Sequence, residues 1–260
     1  IDGAAYATLV AHVIVIPLII IDLLSSKKHL TIGLNEMRLD LETVKDMSRF
    51  ALPAATGQAV SSLGFVILQS IVLSYGNQVS AGFSVGNRIS SLLLNPVVAI
   101  SSILAAYIGL NIGHNQPERA KASYKISRNL SFILMVIGIG IIIPLRYPII
   151  GFILDSNDAA TYEIAGTYTL WLLLTQPFMA LFQNYIGLFN GSGHSKYTLK
   201  MASLRLWGMR IPMVLLFKHV ILEPTDYSGM WYAMIISNFL ILFYGHYLKK
   251  SIKYELQVRL

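Results

Sequence analysis

A chain of 260 residues in which 55% of side chains are hydrophobic and only 13% charged, with mean hydropathy +0.60, lies outside the range of a soluble globular domain. Its formal charge of +7 calls for no nucleic-acid partner, because the cations fall in short loops and not on a solvated patch interleaved with aromatics. The absence of cysteine excludes a disulfide framework and a thiolate metal site.

A helix needs about 20 apolar residues to cross roughly 30 Å of hydrocarbon. Seven stretches meet that length, at 3–24, 51–75, 81–110, 130–150, 165–189, 201–221 and 230–248. They are continuously apolar and do not alternate, which predicts helices and not barrel strands. The expected fold is therefore all-α, a polytopic membrane bundle of seven transmembrane helices. Cations occupy every second connection: Lys27, Lys28, Arg38, Lys45 and Arg49; then Arg119, Lys121, Lys125 and Arg128; then Lys196, Lys200 and Arg205; then Lys249, Lys250, Lys253 and Arg259. The positive-inside rule places these in the cytoplasm, facing anionic lipid.

The chain opens at the mouth of its first span without an initiator Met, which predicts the downstream part of a longer protein. The connection 25–49 carries Leu30, Leu34, Met37, Leu41 and Val44 at helical spacing among charged residues. An amphipathic helix on the membrane face is one reading. A solvated loop with a few buried leucines is the other, because Gly33 weakens the helix.

Three spans carry polar stripes. Gln58, Ser62 and Gln69 share one face of the second, with Phe65 as an apolar wall beside them, and Ser84, Arg88, Ser91, Asn95 and Ser102 share a sector of the third. In the fifth, Thr169, Gln176, Gln183 and Asn190 recur every seven residues. Such stripes act either as interhelical glue or as the wall of a shared water-filled cavity. Pro53, Pro96, Pro177 and Pro212 remove backbone donors in or near the spans, as expected of helices that line a cavity or of kinks that serve packing. Arg88 and Arg210 are the charges expected within the membrane; Arg88 can also snorkel to the nearer surface. Scattered histidines, no HExxH, no paired Asp motif and no Gly-x-Ser-x-Gly elbow argue against an enzyme and predict neither a cofactor nor a metal site.

Several local motifs resemble one family, the multidrug and toxic compound extrusion (MATE) transporters. They are Gly3-Ala4-Ala5-x-Ala7-Thr8, Leu52-Pro53, Gly86-Asn87-Arg88-Ile89, Gly109-Leu110-Asn111-Ile112-Gly113 with Glu118-Arg119-Ala120, Asn190-Gly191-Ser192-Gly193, and Arg210-Ile211-Pro212. Leu110 stands where the family usually has Gln. The resemblance implies two six-helix lobes around a central cavity, in a multi-pass protein of the bacterial plasma membrane. Residues 1–24 would be the last helix of the N-terminal lobe, 25–49 a cytoplasmic connection, 50–248 the six-helix C-terminal lobe and 249–260 a cytoplasmic tail.

The resemblance further implies a cation-coupled antiporter exporting drugs or metabolites by alternating access, with a cationic or amphipathic small molecule, membrane lipid and the missing N-terminal lobe as partners. Expected cavity residues are Gln58, Ser62, Phe65, Gln69, Arg88, Asn95, Gln176 and Gln183. Ser61 and Met179 stand where one branch carries acidic cation ligands, so the coupling ion, H+ or Na+, is expected in the missing lobe. A lipid-linked oligosaccharide flippase of the same superfamily is the nearest alternative, and a membrane-embedded enzyme the rival from another class.

Overall fold

The computed structural model describes residues 2–25, 40–154, 159–223, 225–252 and 254. They form two compact units, Ile1–Met47 and Ser48–Leu260. Helices α1 (Asp2–Ser25), α2 (Leu41–Leu73), α3 (Asn77–Gly113), α4 (Pro117–Ile153) and α5 (Ala159–Gly191) follow one another. A composite rod comes next, built of α6 (Ser195–Ser203), a π-helical stretch (Leu204–Arg210), α7 (Ile211–Leu216) and a second π stretch (Phe217–Ile221). Helix α8 (Ser228–Lys250) is the last helix among the described residues.

Among the described residues, five helical segments are long and apolar enough to cross a membrane: Ala51–Leu73, Asn77–Gly113, Pro117–Ile153, Ala159–Gly191 and Ser228–Lys250. The other two expected spans differ in form. The apolar part of α1 is the shorter run Leu9–Ile21, and 201–221 is divided between α and π segments. Most of the connection 25–49 lies outside the described residues; its end does not, and α2 starts ten residues before the expected span at Ala51. Asp40 caps that start by accepting from the amides of Glu42 and Thr43, each at 3.2 Å, and from the Thr43 hydroxyl.

Helices α3 and α5 meet along a seam of small residues. A Cβ built on Gly86 would lie 2.4 Å from the Tyr168 ring, one on Gly187 2.5 Å from the Ser101 carbonyl oxygen, and one on Gly191 2.4 Å from that of Ala105. Only glycine permits this approach at both ends of the pair. Ser101 donates its hydroxyl to the Gln183 carbonyl across the same seam. Pro96, Pro144, Pro148 and Pro177 sit inside α3, α4 and α5 without dividing them.

Two glycines in turns among the described residues take a left-handed backbone. Gly76, before α3, has φ of 112°, and Gly193, after α5, has φ of 74°. At the second, the His194 amide reaches back to the Phe189 carbonyl at 2.8 Å and the Thr198 hydroxyl bonds the Asn190 amide oxygen at 2.8 Å. The stretch Asn190-Gly191-Ser192-Gly193 is thus a helix stop followed by a reversal.

Four apolar clusters among the described residues hold the second unit together, two of them larger than the rest. One, near the α5–α6 turn, packs Leu104, Tyr124, Tyr185, Phe189, Met201 and Ile241. The other, toward the opposite ends of these helices, packs Leu68, Phe83, Tyr168, Val214, Trp231 and Met234, with Tyr168 stacked on Phe83 at 5.0 Å and against Trp231 at 4.3 Å. Helix α4 contributes little to either and leaves Phe132, Ile133, Ile137 and Ile141 exposed, as a lipid-facing helix would.

Candidate substrate cavity

Between these clusters lies a cavity of about 360 Å³. Phe83, Leu172 and Met234 wall it from one cluster, and Met179 from the side of the other. Phe65 and Gln69 enter from α2, Asn87, Ser90, Ser91 and Leu94 from α3, Gln176 from α5, Arg205 and Arg210 from the first π stretch, and Asn238 from α8.

Its polar groups are held from behind. Gln176, only 2% exposed, donates its side-chain amide to the Ser90 hydroxyl and leaves its Oε1 buried without a partner. Gln69 donates to the Ser80 hydroxyl at 2.9 Å, and Asn87 bonds the Phe83 carbonyl at 2.7 Å. Arg210, 2% exposed, donates from Nε to Ser237 at 3.1 Å and from a terminal nitrogen to the Asn238 amide oxygen.

Arg205, 5% exposed, is held differently. Its guanidinium lies over the Phe182 ring at 4.6 Å, one terminal nitrogen faces the Met179 sulfur at 3.2 Å, and Nε has no hydrogen-bond partner. A thioether is a weak acceptor. An arginine at mid-membrane costs about 2.5–3.5 kcal/mol on insertion scales, so two on one wall mark a site that the packing alone does not require.

The π stretch brings them together. The Ile211 amide bonds the Leu206 carbonyl five residues back, and Pro212 supplies no donor with which the α pattern could resume earlier. Residues five apart lie about 140° apart around an α-helix, but i→i+5 bonding makes them neighbours on one face. Arg205 and Arg210 are such a pair.

Of the residues expected from sequence, Phe65, Gln69 and Gln176 line the cavity. Gln58 and Ser62 are exposed on the same face of α2, and Arg88 and Asn95 are exposed on α3 beside Ser91; none of these four lines it. Gln183 is half-buried on the α3–α5 seam. The stripe on α5 therefore has two surroundings, since Thr169 is fully buried against Gly86 of α3 while Gln176 reaches the cavity. Arg205, grouped above with the loop cations, belongs to the cavity wall, and Asn87, Ser90 and Asn238 join it. A lone Asn in the apolar run of α8 was the available signal for Asn238.

No acidic side chain lines the cavity, and among the described residues no three His, Asp or Glu side chains cluster to hold a metal ion.

Comparisons with known proteins by family model and by sequence agree with one another. The family model described as MatE matches residues 53–216. Relatives include the "Probable multidrug resistance protein YoeA" of Bacillus subtilis strain 168, 23% identical over 250 residues that make up 94% of this chain and 53% of that protein. Another is the "FAD transporter" of Shewanella oneidensis, 26% identical over 97% of this chain and 54% of that protein. The chain thus spans about half the length of these curated relatives.

The fold is that of solved transporters. A Pyrococcus furiosus member of the MOP superfamily, described as having a binding pocket of reverse polarity that suggests a different function, superposes with a TM-score of 0.87 at 20% identity, covering 95% of this chain and 55% of that one. An outward-facing multidrug resistance MATE transporter superposes with a TM-score of 0.86 at 20% identity over the same shares.

Proposed function

The chain belongs to the MatE family, and on that premise we propose that it is one half of a cation-coupled antiporter that exports drugs or metabolites across the cell membrane by alternating access. The observation that carries this reading is the cavity itself, a polar space of about 360 Å³ walled by α2, α3, α5, the composite rod and α8 within an otherwise apolar bundle. Membrane transporters commonly bind substrate near the midplane at the interface between repeats.

In this reading the chain crosses the membrane seven times, with Lys121, Lys196 and Lys250 on the cytoplasmic side. Residues 1–24 close an N-terminal lobe, 25–49 connect the lobes and 50–248 form the C-terminal one. The coupling proton or sodium ion is bound in the N-terminal lobe, since the cavity here offers it no carboxylate. Relatives named for multidrug resistance and for FAD transport make an amphipathic small molecule the substrate class.

The test is reconstitution in liposomes with an imposed proton or sodium gradient, following fluorescent amphiphiles of either charge. The chain is assayed alone and co-expressed with the polypeptide encoded upstream of it. Gradient-dependent movement is expected only from the pair. Movement by the chain alone would overturn the half-transporter reading, and none by either preparation would overturn the transport reading.

A further inference from the structure

The cavity carries charge of one sign. Arg205 and Arg210 both line it, and no lining residue is acidic. Arg210 has its Nε on Ser237 and a terminal nitrogen on Asn238, which fixes the orientation of its guanidinium. Arg205 is buried with Nε unpartnered and only the Met179 sulfur facing its terminal nitrogen. Its flat face rests on Phe182, so the planar fork is held in place while Nε goes unused.

A planar guanidinium fork with free donors matches the geometry of a carboxylate or phosphate. Phe65, Phe83, Leu94 and Leu172 offer apolar and aromatic surface on the same wall, and the unpartnered Gln176 Oε1 offers an acceptor. We propose that this cavity binds an amphipathic organic anion, its phosphate or carboxylate held by Arg205 beside the fixed Arg210, its apolar body against Phe65 and Phe83, and a hydroxyl or amide donor on Gln176.

This proposal rests on the reading of the cavity as a small-molecule site and specifies the charge of the occupant, a molecule expected from sequence to be cationic or amphipathic. A cation there would meet two guanidinium groups with no counter-charge, whereas an oxyanion relieves their mutual repulsion.

The test uses the chain in nanodiscs of zwitterionic lipid and four naphthyl probes in calorimetric titration: 2-naphthyl phosphate, 2-naphthylacetate, neutral 2-naphthol and a naphthyl trimethylammonium salt. At least one anion is expected to bind about tenfold or more tighter than the alcohol and the ammonium ion, the tighter of the two identifying the preferred group. Arg205→Gln should remove that advantage, while Arg205→Lys should restore part of it.

The selectivity of the unmodified chain tests the proposal without any variant. Equal binding of all four probes, or preference for ammonium, would overturn the anion assignment and leave the small-molecule cavity standing. Binding of none would overturn both. Anion preference untouched by Arg205→Gln would move the charge recognition away from this arginine and overturn the assignment as made.

Discussion

The α3–α5 seam and the composite rod 195–221 cross the same bundle by opposite means. The seam is two uninterrupted helices brought together by glycines, with backbone against backbone at Gly187 and Gly191. The rod changes its hydrogen-bond pattern three times and packs through long side chains, among them both cavity arginines. Close backbone packing leaves one arrangement only, while π stretches are recurrent at functional sites because they shift side chains around the axis at small cost. The bundle thus has a rigid frame and a more adaptable wall, and the charge is placed on the wall.

The largest expected effect comes from breaking the frame. Gly191→Leu would drive a side chain into Ala105, where a Cβ alone would already lie 2.4 Å from its carbonyl oxygen and 2.8 Å from its Cα. A loss of about 3 kcal/mol or more is expected, read as loss of monodisperse protein in detergent and a lowered melting temperature. Unchanged melting would show that the seam can open.

A smaller loss is expected on the wall. Arg210→Met keeps the stem but leaves Ser237 and Asn238 without their donor, which should cost about 1–3 kcal/mol. Arg205→Met removes no comparable pair and should change melting by less, because Arg205 Nε is already unpartnered. Equal destabilisation by the two would mean that both arginines serve packing.

Hydrogen exchange sharpens the same contrast without mutation. Amides of 204–210 and 217–221 should exchange about tenfold or more faster than those of 180–189 in the seam, because irregular hydrogen bonding opens at lower free energy. Cysteine labelling then separates the two surroundings of the α5 stripe. A cysteine replacing Gln176 should react with a small water-soluble thiol reagent and one replacing Thr169 should react far more slowly, since Gln176 lines the cavity and Thr169 is fully buried against Gly86 in the seam. Equal rates would join the seam to the cavity.

The smallest effect lies at the start of α2. The Thr43 hydroxyl, with the Thr43 and Glu42 amides, holds the Asp40 carboxyl below its ordinary value. A depressed folded-state value means that the cap contributes above the unfolded-state pKa and is lost as pH falls through the folded one. Exchange at the Glu42 and Thr43 amides, corrected for the intrinsic pH dependence, should therefore lose protection at acid pH, and Asp40→Ala should remove that pH dependence.

Helical class and long apolar crossings were legible in the residues, because lipid forces every backbone group to be satisfied within its own segment. So was the candidacy of Gln69, Phe65 and Gln176, through their spacing on α-helical faces. The position of Arg205 was not. On α periodicity it points away from Arg210, and its place in sequence groups it with the loop cations. Nor does periodicity separate Gln176 from Gln183, seven residues apart on one stripe. Which polar residue faces a neighbour and which a cavity depends on where the adjacent helices come close. That is set by pairs distant in the chain, Ser101 with Gln183, Ala105 with Gly191 and Arg210 with Asn238, and by a change of helical winding that no residue specifies alone.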